Sequence, residues 1–70
     1  MTQYRPVITN SVSDAYIEGQ LYDDLGRALE RARTMAFIRN DTQIAYGMKP
    51  CWSGYVVDSN NKFYDIPPKD

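Results

Sequence analysis

The sequence predicts an α+β fold in which one amphipathic helix packs on a small, mainly antiparallel sheet of four or five strands. Leu25, Ala28, Leu29, Ala32, Met35 and Ala36 recur at the three-and-four spacing of a single helical face. Short segments before and after them alternate apolar and polar residues with period two. Clusters of Asn, Asp and Ser, whose side chains bond their own backbone, punctuate the segments.

Val7, Ile8 and Thr9 follow Pro6, which favours an extended Tyr4 to Asn10 segment. Because Pro6 has no N–H to give a ladder, this segment is expected at a sheet edge. Asn10 to Asp14 carries turn chemistry. Beyond it Ala15, Ile17, Gly19 and Leu21 alternate with Tyr16, Glu18, Gln20 and Tyr22, as in a half-buried strand. Together these form an N-terminal hairpin. Alternatively, Ser13 caps a short helical turn from Asp14 to Glu18 that Gly19 ends.

Asp23 or Asp24 caps the main helix, placing negative charge at the positive end of its dipole. Phe37 and Ile38 fall off the apolar arc and Asn40-Asp41 follows, so the helix is expected to end near Ile38. Thr42, Ile44, Tyr46 and Met48 then alternate with Gln43, Ala45 and Gly47, predicting a strand that Lys49-Pro50 breaks. Cys51 to Asp58 and Lys62 to Ile66 flank Asp58-Ser59-Asn60-Asn61, the clearest hairpin in the chain. Pro67-Pro68-Lys69-Asp70 is expected to fray. The order is therefore ββαβββ, or βαβββ if the second segment is not a strand.

Seventy residues make one domain, 1–70, whose small core leaves little stability over chain entropy. Lone Cys51 cannot form an internal disulfide, and without histidine a structural zinc site has at most one good ligand. Self-association or a partner remains as reinforcement. The N-terminal residues lack the basic segment and apolar run of a secretory signal, so a soluble, cytoplasmic protein is expected. A net charge of -1 gives no global field toward nucleic acid or anionic lipid.

The residues offer little for catalysis. A triad has no histidine base, and Cys51 beside Pro50 and Trp52 reads as a packed strand-start thiol rather than an activated nucleophile. Asp23-Asp24 reads as a cap, since no acidic residues stand at calcium-loop spacing. Gly19, Gly26, Gly47 and Gly54 are too scattered to cradle phosphate. No catalytic residue, cofactor or metal ligand is therefore assigned.

Two surface features stand out. Arg27, Arg31 and Arg39, with Arg33, make the helix back locally basic, and Arg27 and Arg31 are one turn apart, able to grip a carboxylate or phosphate. Ordinary solvation of that face, with cations favoured toward the helix C-terminus, is the preferred account of them. Trp52, Tyr55, Phe63 and Tyr64 crowd the last hairpin, where aromatic pairs stabilise a sheet or anchor an interface. These seven residues, Arg33 excepted, are the candidate partner-binding set.

The function expected is a non-enzymatic interaction module that binds or modulates a larger protein, as a homodimer or an accessory subunit. Small helix-on-sheet proteins of phages and mobile elements offer an architectural analogy. The alternative is a nucleic-acid binder using the helix arginines with the aromatic hairpin, though the paired aromatic signature of RNA readers is absent.

Overall fold

The computed structural model describes residues 1–66; the expected C-terminal fraying at 67–70 lies outside them. Strands β1 (Tyr4–Asn10), β2 (Tyr16–Glu18), β3 (Trp52–Asp58) and β4 (Phe63–Asp65) form one antiparallel sheet ordered β2-β1-β3-β4, with helix α1 (Leu25–Ala45) between β2 and β3. The α+β class and the lone helix on a four-stranded sheet are as the sequence predicts. The order is ββαββ. Since β2 and β3 both run antiparallel to β1, α1 is a long crossover that passes over β1 to join two parallel strands.

Two expectations are corrected. First, β1 is central rather than an edge. Its Tyr4 N–H and Pro6 C=O point toward β2, where they meet Tyr22 and Gly19. The N–H that Pro6 lacks faces the stretch from Gly19 to Tyr22, where β2 has ended and the chain takes three steps against the two from Pro6 to Tyr4. A bulge thus absorbs the missing donor.

Second, the segment from Thr42 to Met48 is no strand. The helix runs on to Ala45 and closes through Gly47 at φ 74°, with Gly47 N–H on the Ile44 carbonyl at 3.0 Å and Met48 N–H on that of Gln43 at 2.8 Å. This is a Schellman closure, in which glycine takes the left-handed conformation at no steric cost. Asn40-Asp41 accordingly lies inside the helix, and the end expected near Ile38 moves by two turns.

Elsewhere the local chemistry acts as read. Asp24 caps α1 by accepting the Arg27 N–H at 2.9 Å. Asn10 Oδ1 accepts from the Val12 and Ser13 N–H groups at 2.8 and 3.0 Å, which folds the first turn into a hairpin and excludes the alternative short helix. Asn61 adopts φ 63° in the second hairpin turn.

The core is thin. Ala28 and Ala32 are fully buried against Val56, ringed by Tyr4, Tyr22, Leu25, Leu29, Tyr64 and Ile66. Small alanines bring helix backbone close to the sheet, and at Gly54 an added Cβ would stand 3.1 Å from the Ala32 carbonyl oxygen.

Candidate functional site

Strand register divides the aromatic hairpin between two surfaces, because side chains alternate across a sheet. Val56 pairs with Tyr64 and Pro6, so these point toward the helix together with Trp52, Gly54 and Asp58. Val57 pairs with Phe63 and Arg5, and Tyr55 with Val7 and Asp65, so this set points away. Among the described elements none covers that second face.

On the open face the rings of Tyr55 and Phe63 stack at 5.3 Å with an interplanar angle of 13°. Phe63 is 64% exposed and Tyr16, across β1 at the other side, 65%. Between them Val7 is buried and Val57 half-buried. Thr9, Tyr16 and Tyr55 border a concavity of about 420 Å³ with Asn10, Asp14 and Ala15 from the first hairpin turn. Arg5, Glu18 and Asp65 edge the same face, giving an apolar-aromatic centre with a mixed-charge rim. Tyr16 was not singled out from the sequence; its partnership with Thr9 across β1 is visible only once register is known.

Trp52 and Tyr64 do structural work on the helix side. The Tyr64 hydroxyl donates to Asp58 Oδ2 at 3.0 Å, and its ring meets Tyr4 edge-on at 6.0 Å. Asp58 Oδ1 accepts from the Asn60 and Lys62 N–H groups at 2.8 and 2.9 Å. These bonds, led by that from Lys62, hold the Asp58 carboxyl below its ordinary range despite its burial. Desolvation first, then the bond to Asp58, pushes the Tyr64 phenol up. Both of these shifts belong to one hairpin clasp. At the other end of β3, Arg39 lies over the Trp52 ring at 5.6 Å.

Arg27 and Arg31 are exposed on α1, and neither guanidinium has an ion pair or hydrogen bond among the described residues; Arg33 pairs with Glu30 at 3.7 Å. Arg31 instead borders a groove between α1 and β2. Ile17, Tyr22 and Met35 line one stretch of about 570 Å³, while Ile8, Ile38 and Arg39 extend it. The seven candidate residues are therefore dispersed: Tyr55 and Phe63 on the open face, Arg31 and Arg39 beside the groove, Arg27 exposed on α1 one turn before Arg31, and Trp52 and Tyr64 within the packed layer.

Cys51 is half-buried beside Gln43, whose Nε2 donates to Sγ at 3.0 Å and whose Oε1 accepts the Cys51 N–H at 3.0 Å. No cluster of metal-ligating side chains and no helix long and apolar enough to cross a membrane occurs among the described residues. Compared with protein families, curated proteins and solved structures, the chain matches none.

Proposed function

We propose that this chain is a non-enzymatic interaction module that docks a larger protein on its open sheet face. The single observation behind this reading is the stacked Tyr55–Phe63 pair on a face that no described element covers, with Phe63 mostly in solvent. Aromatic anchors inside a polar rim are the usual energetic centre of protein interfaces. The hydrogen bond between Asp58 and Tyr64 is spent on holding the hairpin. The reducing cytoplasm suits the free Cys51 thiol. A nucleic-acid role is less well supported, since Arg27 and Arg31 lie on the helix side and the stacked rings on the opposite side of the sheet.

Light scattering at micromolar concentration separates a second copy from a foreign partner: a monomer points to the latter. Cross-linked capture from host lysate, followed by reconstitution with the purified candidate, then identifies it. Saturable binding lost in the Tyr55→Ser, Phe63→Ser double variant supports the proposal. Undiminished binding by that variant, at unchanged circular dichroism, removes it.

A further inference from the structure

We infer that the groove between α1 and β2 receives an extended acidic peptide segment, added as a fifth strand on the β2 edge. Strand β2 ends the sheet. The Asn10 N–H to Ala15 C=O and Gly19 N–H to Pro6 C=O bonds direct the odd-numbered residues of this stretch onto β1. The N–H and C=O groups of Tyr16 and Glu18 consequently face outward, where no described strand meets them. Beside this edge the helix presents Met35 and Ile38, the latter 54% exposed, with Arg31 and Glu18 bordering one end and Arg39, whose guanidinium rests over the Trp52 ring at 5.6 Å, bordering the other.

The spacing defines the ligand. Arg31 and Arg39 stand eight positions apart, about 12 Å along the helix axis at its usual rise. Two same-face steps on an extended strand cover about 13 Å. A bound segment therefore places an acidic side chain over each arginine and an apolar one over Met35, in the pattern acid-x-apolar-x-acid. Main-chain bonds to Tyr16 and Glu18 supply affinity, and the pattern supplies specificity. A second copy pairing through β2 would bring its own Arg31 and Arg39 against these, a like-charge opposition that favours an acidic partner instead. This site is separate from the open face, and it stands or falls without it.

The probe is a blocked peptide, Glu-Thr-Val-Thr-Glu flanked by threonines, titrated into the isotope-labelled protein. Amide shifts at Tyr16, Ile17, Glu18, Met35 and Ile38, with slowed exchange of the Tyr16 and Glu18 amides, are expected. Arg31→Gln in the protein should weaken binding roughly two- to fivefold, and replacing both peptide glutamates with glutamine roughly three- to twentyfold, as expected for one and two exposed ion pairs. Phe63→Ser should leave it unchanged. Shifts centred on Phe63, equal affinity for the glutamine peptide, indifference to Arg31→Gln, or tighter competition by a single-stranded oligonucleotide would each overturn the assignment.

Discussion

Asn40 pairs with the backbone of Trp52 through both ends of its carboxamide, accepting the Trp52 N–H at Oδ1 and donating from Nδ2 to the Trp52 carbonyl, each at 2.9 Å. The Asp58 N–H to Lys62 bond shows that even-numbered residues of β3 direct their backbone toward β4. Strand β4 reaches only as far as Tyr55, so Asn40 replaces the missing ladder at Trp52. Asn40→Ala leaves a part-buried donor and acceptor without partners and should cost about 1–3 kcal/mol. Urea denaturation with an unchanged m-value checks this, and loss of Trp52 amide protection locates the effect. An unaltered midpoint would show that water substitutes for the carboxamide.

Two glycines predict opposite outcomes for the same substitution. At Gly54 a Cβ would meet Ile66 Cδ1 at 2.6 Å and the Ala32 carbonyl oxygen at 3.1 Å. The side chain can rotate, but the helix backbone cannot retreat without opening the core, so Gly54→Ala should destabilise by about 1–3 kcal/mol. Gly26 lies in the first turn of α1, and its added Cβ would meet only Asp24 Oδ2, at 3.4 Å. There Gly26→Ala should stabilise by up to ~1 kcal/mol through helix propensity. Thermal unfolding of both variants decides the signs.

The helix arc was legible because its spacing is local. Ala28, Ala32 and Ala36 are the buried stripe, and Phe37 and Ile38 lie outside it, as their positions on the arc require. The helix end was not legible. Gln43, Ala45 and Gly47 alternate with apolar neighbours like a strand, yet Asn40 binds Trp52, the first residue of β3, and Gln43 binds Cys51 just before it, contacts made across the fold. Gly47 was the available signal, a glycine placed where a helix closes. The central position of β1 was hidden by Pro6, whose penalty disappears only when the bulge opposite is seen. For the surfaces, the residue types were readable and their division was not. Phe63 and Tyr64 are neighbours in the chain but occupy opposite faces, which register alone assigns.

The clasp between Asp58 and Tyr64 makes stability depend on pH at both ends of the scale. The Asp58 carboxyl titrates lower folded than unfolded. Its contribution is present above the ordinary carboxylate range and is lost as pH falls through the folded value. The Tyr64 phenol titrates higher when folded. Its contribution is complete below the ordinary phenol range, near pH ~10, and is lost as pH rises through the folded value. Stability should therefore be level across neutral pH and fall at each extreme. Asp58→Asn keeps an oxygen for the Asn60 and Lys62 N–H groups and should flatten the acid limb, whereas Asp58→Ala, which removes all three acceptor contacts, should destabilise at every pH. Urea midpoints across the pH range test this, and an acid limb unchanged in Asp58→Asn would assign it to other carboxylates.

Tyr55 and Phe63 should contribute more to binding than to folding. Their stacked rings predict a coupling of about 0.5–1.5 kcal/mol in a double-mutant cycle with alanine. Phe63 is largely in solvent, so little of its area is withdrawn from water on folding, and Phe63→Ser should cost little beyond that coupling, no more than ~2 kcal/mol. Tyr55 is half-buried and its truncation should cost more. An interface centred on these rings loses roughly 2 kcal/mol or more of binding when an anchor is removed, a thirtyfold weakening or greater. Phe63→Ser should thus remain folded and fail to bind, which calorimetry against the captured partner measures directly. A variant that unfolds as readily as it loses binding would instead make the stacked pair part of the fold's own support.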